Sequence, residues 1–476
     1  MSRESADLTG VTDRLPPEAD EDLEDLALRD DYALAPEFVA MVADAADRGD
    51  AERLRELLDA LHPADVADLM GFLSAEYREE VVSHLNPEAL AEILSELDTE
   101  IREEVLEHVP SEALARALGE MESDDAADVV DDLEAEKRAQ VLAAMPESER
   151  VAIETSLAYE DETAGRLMQR EVVAAPQFWT VDQALAHLRR ESDELPELFF
   201  DVYVVDPAYR PVGAVAVSQL LRAAPDAPLA QIMEPVTEIA VNLDQEEVAY
   251  IFNKYHLISA PVVEPGGRLV GQITVDDIVG VIQEETEEDI LALANVSDAG
   301  RDANILDIVR ARLPWLLFNL ATETVAVSVI GVFQGAIAKV VALAVLMPIV
   351  SSLGGNAGTQ ALTVAVRALA SRELNAANAS RVVLREAVVG IVNGVALALV
   401  MGLAVYAWFH DLRLAITMGL AIVANLFVAA LAGIMAPIVL EKLGRDPAVS
   451  SSVMVTFVTD FMGFLALLGI ASLILL

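Results

Sequence analysis

The chain has 476 residues, 54% of them hydrophobic, and a formal net charge of −48. A chain this long does not close around one core, and one this acidic is not expected to take nucleic acid as a partner. Cysteine is absent and there are only six histidines. This excludes a disulfide framework and a thiolate centre, and leaves any metal with oxygen ligands, which suit hard cations such as Mg2+ or Ca2+.

High hydrophobicity and high charge coexist only if they occupy different parts of the chain. Of the 79 acids, seven follow residue 311 (Glu323, Glu373, Glu386, Asp411, Glu441, Asp446 and Asp460) and 72 precede it. An acidic soluble half therefore leads into an apolar membrane half. Lysine is scarce, so most of the acids read equally well as a solvating surface of a salt-adapted protein.

Residues 1–34 lack the apolar core of a signal peptide and are expected to be a disordered tail. From Leu61 the chain repeats every 12 residues: Leu61, Leu73, Leu85, Leu97, Val109, Met121, Leu133, Met145 and Leu157 share one phase. Helix starts such as HPAD, NPEA, PSEA and PESE follow several of them. Each unit predicts a short helix and two units an αα hairpin, so residues 35–162 are expected to form an all-α, acidic helical-repeat domain. Its repeated leucines are core. In SDDAADVVDD, Asp124 and Asp128 stand one helical turn apart, where like charges repel unless a cation lies between them.

From TAGRLM onward, strand-like runs alternate with helical ones, and the pattern occurs twice. TVDQALAHLRR matches NLDQEEVAYIFNKY, and VYVVDPAYRPVGAVAVSQLL matches APVVEPGGRLVGQITVDDIV. Two β-α-β-β-α units are expected, at 163–228 and 229–284. They resemble a pair of CBS domains, an α/β regulatory module that often binds adenine nucleotides. The run GQITVDDI fits the family motif, which implies that Thr274 and Asp277 would meet the phosphates and ribose of a nucleotide such as ATP. The first copy reads GAVAVSQL and lacks both groups, so at most one site is implied, and a pair without ligand remains open. Residues 285–311 read as a connector helix, too charged to span a membrane, acting either as a coupling element or as a passive linker.

Five apolar segments follow, at 313–335, 338–369, 384–409, 412–440 and 448–475, each long enough to cross a hydrocarbon core that takes ~20 helical residues. Residues 312–476 are thus expected to be an α-helical membrane domain of five helices. With the acidic half cytoplasmic, Arg310, Arg312, Arg367, Arg372, Arg381, Arg385, Lys442 and Arg445 flank the inner side, and only Lys339 and Arg413 the outer. That asymmetry fits a cell-membrane protein whose C-terminus lies outside. The second segment contains LMPIVSSLGGNAGTQ (346–360), which no lipid-facing helix requires. Pro348 removes a donor, Gly354, Gly355 and Gly358 permit close approach, and Asn356 and Gln360 share a face. Asp460, in the last segment, is an ionisable group at membrane depth, the usual mark of an ion path. Tight helix packing for the glycines and a purely structural carboxylate at 460 are the competing readings.

The order of acidic helical repeat, CBS pair, connector and five apolar segments resembles the MgtE family of magnesium channels and transporters. The runs that carry the resemblance are YEDETAGRLM, MPIVSSLGGNAGTQ followed by VRALASREL, and DPAVSSSVMVTFVTDFMGF. It implies a homodimer in the lipid bilayer, a pore between subunits, and hydrated Mg2+ beside Asp460. Asn356, Gln360, Ser452 and the Thr456 backbone would meet the remaining waters, since Mg2+ gives up its water shell reluctantly. It further implies regulatory Mg2+ held by Glu92, Asp124 and Asp128 of the repeat, Asp244, Glu246 and Asp277 of the second CBS unit, and Glu285, Glu288 and Asp289 of the connector, closing the pore when cytoplasmic Mg2+ is high. Gln334, His256 and Gly280 depart from the family pattern, where acids are expected. A transporter of Mn2+, Co2+ or Ca2+, or a CBS-based membrane sensor, are the alternatives. No nucleophile paired with a base and no phosphate loop stands out, so an enzyme is not expected.

Overall fold

A computed structural model describes residues 23–29, 31–191, 195–196, 198–294, 296, 305–375, 377–449 and 451–476. The expected tail lies outside the described residues up to position 22, as do 297–304 of the expected connector. The chain divides into two compact units, Met1–Val281 and Ile282–Leu476.

The first unit opens with α1 (Leu23–Ala27) and α2 (Pro36–Asp47). Ala27 and Leu34, expected in the tail, instead pack into the first core, because Leu23, Leu26 and Ala27 give this short turn an apolar side. The helices that follow are α3 (Ala51–Leu58), α4 (Pro63–Phe72), α5 (Ala75–Ser83), α6 (Pro87–Glu96), α7 (Thr99–His108), α8 (Ser111–Leu118), α9 (Ser123–Asp131), α10 (Ala135–Ala144) and α11 (Glu147–Ser156). From α3 on, every helix starts 12 residues after the one before. The residues of the shared phase stand two places ahead of the starts of α4 to α11, the position from which an apolar side chain staples the helix entry. Leu73, Leu97, Val109, Leu133 and Met145 are buried there. Alternate helices stack, α4 on α6 on α8 on α10 in one column and α5 on α7, then α9 on α11, in the other. Arg78 closes the turn after α4: its Nε donates to the Met70 and Leu73 carbonyls at 2.9 and 3.1 Å, and its Nη1 to Glu104 at 2.5 Å.

The rest of the unit holds α12 (Ala164–Leu167), β1 (Ala174–Pro176), α13 (Val181–Arg190), β2 (Asp201–Val205), β3 (Pro211–Ala216), α14 (Val217–Leu220) and α15 (Leu229–Ile232). Then come β4 (Ile239–Ala240), α16 (Gln245–Tyr255), β5 (Ser259–Val263), β6 (Leu269–Thr274) and α17 (Val275–Leu293). Two three-stranded sheets result, ordered β1-β2-β3 and β4-β5-β6. In each the first pair is parallel and the second antiparallel, with a register shift at the equivalent valine pair. The duplicated β-α-β-β-α reading of the sequence is this topology. Gly165 lets α12 lie against its neighbours, since a Cβ there would stand 2.6 Å from the Tyr159 ring and 2.9 Å from the Val241 carbonyl. The second unit begins inside α17, which runs on to Leu293 without the break expected near residue 284, because no proline interrupts it.

The second unit continues with α18 (Ile305–Val332), α19 (Gln334–Lys339), α20 (Ala342–Ala370), α21 (Ala379–Phe409), α22 (Leu412–Lys442) and α23 (Ser451–Ile474). All but α19 are long and apolar enough to cross a membrane. Helix α22 is the hub, packing on α20, α21 and α23. Helix α18 starts before residue 312 because its charged first turns are still good helix formers.

Candidate ion sites

Asp460 lies on α23 and is only 8% exposed, in a helix whose other buried residues are apolar apart from Ser451 and Thr459. The Ser351 hydroxyl of α20 donates to its Oδ1. From α18, the carboxyl of Glu323 also lies within hydrogen-bonding reach of it. Neither partner was singled out in the sequence. Glu323 carried a visible signal, an acid inside a spanning segment; Ser351 carried none.

The glycine-rich stretch serves two faces. A Cβ on Gly354 would stand 2.2 Å from Asn425 Nδ2, and one on Gly358 2.5 Å from Val455 Cγ1, so these two glycines let α22 and α23 approach. Gly355 faces open space. On the same side of α20, Ser352, Asn356, Thr359, Gln360 and Thr363 form an exposed polar stripe at three- and four-residue spacing. Asn356 and Gln360 therefore share a face, as their spacing predicted, but in one chain they do not converge on buried Asp460. Ser452 and Thr456 are half-buried on α23, where the Thr456 hydroxyl donates to the Ser452 carbonyl at 2.9 Å and the Thr456 carbonyl accepts from Thr459 at 2.9 Å. Asn425, wholly buried between Gly354 and Gly463, donates to the Val350 carbonyl at 2.8 Å and leaves its Oδ1 unpartnered.

A second cluster lies in the first unit, where the start of α9 meets the CBS-like pair. Gln169 donates to Glu122 at 2.5 Å, the Ser123 hydroxyl donates to Glu171 at 2.8 Å, and the Arg170 amide donates to Ser123 Oγ at 2.8 Å. Against this seam Asp124 is 6% exposed and its Oδ1 has no partner. Burial and then the field of Asp277 push the Asp124 carboxyl well above the usual range. The same causes bring Glu122 up to about 7, burial again leads for Asp277, at about 7, and burial with the Asp128 field raises Asp125 to about 6. Among the described residues, no three His, Cys, Asp or Glu side chains are arranged to hold a bare metal ion. A hydrated cation needs no such convergence.

The other expected regulatory acids are dispersed. Asp128 is exposed and ion-paired to Arg166 at 3.2 Å. Glu92 is exposed on α6, and it is Glu96, one turn on, whose field reaches Asp125. Asp244 caps α16 by accepting from the Glu246 amide at 3.0 Å. On α17, Glu285 and Asp289 are half-buried and Glu288 exposed; burial, then Asp446 and Glu285, hold the Asp289 carboxyl above its usual range.

Thr274 donates to Asp277 at 2.8 Å, so the motif pair is joined internally and turned toward the acids of α9. The open cavity, about 470 Å3, lies elsewhere in the pair, lined among others by Tyr203, Ser218, Arg222, Glu234 and Ser259. In its wall Tyr203 donates to Ser259 at 2.9 Å and Ser259 to Asp201 at 2.8 Å. Its lining comes from both copies and includes neither Thr274 nor Asp277, which is why the motif did not point to it.

Three family models match the chain: MgtE, a divalent cation transporter, over residues 347–470; the MgtE intracellular N domain over 61–162; and the CBS domain over 229–284. The magnesium transporter MgtE of Thermus thermophilus is 36% identical over 330 residues, covering 68% of this chain and 73% of its own. That of Enterococcus faecalis is 35% identical over 321 residues, covering 67% and 71%. A solved structure of the soluble part of a magnesium transporter is 30% identical, with a TM-score of 0.47, and covers 52% of this chain and 98% of its own. One of the cytosolic domain of the Mg2+ channel MgtE in complex with ATP is 34% identical, with a TM-score of 0.49, covering 51% and 99%.

Proposed function

The chain belongs to the MgtE family of magnesium transporters, and on that premise we propose that it carries Mg2+ across the membrane along a path defined by Asp460. The observation that carries the reading is Asp460 itself, a carboxylate buried in a spanning helix with a serine hydroxyl oriented onto it. A hydrated Mg2+ is the substrate such a site fits, because the carboxylate and nearby carbonyls can accept hydrogen bonds from the ion's own waters. The polar stripe of Ser352, Asn356 and Gln360, uncovered in one chain, would be costly against lipid. A second copy of the chain closing a wet path along that face removes the cost, and we take the working form to be a homodimer with its soluble half in the cytoplasm.

Closure by cytoplasmic Mg2+ is the second part of the reading. The Asp124 Oδ1 without a protein partner and its acidic neighbours Glu122, Asp125 and Asp277 would suit a hydrated cation, which would offset their mutual repulsion and hold α9 on the CBS-like pair. An adenine nucleotide is the ligand we assign to the open cavity of the CBS-like pair, with Arg222 to meet its phosphates. The test is Mg2+ flux into proteoliposomes with Mg2+ varied on the cytoplasmic face. We expect flux in the intact chain to fall as cytoplasmic Mg2+ rises, and Asp460→Ala to abolish it. Undiminished flux in Asp460→Ala would remove the proposed path.

A further inference from the structure

We propose that Glu323 is a positioning residue of the ion path, supplying the second negative charge that makes the Asp460 position prefer a divalent to a monovalent cation. The inference rests on the reading of Asp460 given above. Along α18 the covered positions include Trp315, Asn319, Thr322, Glu323, Ala326 and Val329, mostly three and four apart, while the residues between them are exposed. Helix α18 packs on α23. Glu323 therefore points into the protein, and its carboxyl reaches Asp460 while Ser351 reaches it from α20. Asp460 is thus gripped from two other helices.

A carboxylate has no structural reason to stand inside a spanning helix, where an ionisable side chain is costly unless it serves a path. With both carboxyls ionised the pair carries two negative charges, which one K+ or Na+ leaves half offset and one divalent cation offsets in full. Glu323 also limits the rotamers open to Asp460, so loss of its charge should weaken Mg2+ capture more than it slows maximal transport.

The test compares the intact chain with Glu323→Gln, Glu323→Asp and Asp460→Asn in proteoliposomes, measuring Mg2+ flux with and without KCl near ~0.15 M. In Glu323→Gln the half-saturating Mg2+ concentration is expected to rise about tenfold in KCl, with maximal flux within about threefold of the parent. Glu323→Asp, which keeps the charge, is expected to retain resistance to K+. Glu323 is half-exposed in the single chain, so the amide opens no cavity; should Glu323→Gln fail to elute as the parent does, Glu323→Thr carries the same comparison. A neutral variant with parental half-saturation and K+ resistance, alongside an inactive Asp460→Asn, overturns the role of Glu323 and leaves the path standing. Parental flux in Asp460→Asn overturns both.

Discussion

Two glycines three residues apart in α20 face different environments. At Gly358 a methyl group would lie 2.5 Å from Val455 Cγ1, and Val455 is itself buried and stiff at χ1. Gly358→Ala is therefore expected to destabilise the bundle by about 1–3 kcal/mol through overpacking. At Gly355 a methyl group meets nothing, and alanine there gains up to ~1 kcal/mol of helix propensity. Melting of the detergent-solubilised chain should separate the two, with a lower midpoint for Gly358→Ala and an unchanged or higher one for Gly355→Ala. Equal midpoints would mean that α20 does not pack on α23 as described. The two chemistries proposed for the glycine stretch in the sequence, packing and exposure to a path, thus divide between residues less than one turn apart.

At the scale of elements, the solenoid shows what periodicity conveys. Leu94 of α6 is fully buried among α4, α8 and α9. Leu94→Ala should lower the stability of the first unit by about 2–5 kcal/mol, read from its own transition in a denaturant titration. Because repeat domains are stabilised by neighbours in series, the loss should spread through the helical repeat. The helix starts were readable in the sequence because a staple residue and an acidic first turn recur at a fixed interval. The duplicated β-α-β-β-α units were readable for the same reason, from two copies of one pattern. Other element ends were not read from the sequence: α17 crosses residue 284 with nothing to stop it, and α19 separates from α18 at Phe333, between Gly331 and Gly335, inside one apolar run. Within the site, Asp460 stood out by its charge. Glu323 offered the same signal, but its pairing with Asp460, like that of Ser351, did not show, because both reach Asp460 across more than a hundred residues of sequence, and contacts of that separation leave no local trace.

At the scale of the whole soluble assembly, the acids at the start of α9 make the docking of the helical repeat depend on pH and on divalent cation. Facing one another are Glu122, Asp124 and Asp125 of the repeat, Glu96 from α6, and Glu171, Asp276 and Asp277 from the CBS-like pair, with Arg102 as the cation that lowers Asp125. Their carboxyls are raised in the folded state, so the docked arrangement is favoured while they hold protons. That favour is complete below the unfolded range near pH 4 and is lost as pH climbs through about 6 to 7. Without Mg2+, raising the pH from about 5.5 to about 8 should therefore loosen α9 from the pair. Added Mg2+ should restore it at the higher pH and do little at the lower, because protons there already offset the charge. The chain has no native cysteine, so spin labels at Glu112→Cys and Asp226→Cys report the separation without background. A distance distribution that broadens with pH and narrows again with Mg2+ is the expected result. One that ignores both would show that the raised carboxyls are not what holds the repeat in place, and regulation by cytoplasmic Mg2+ would then have to act through the acids of α17.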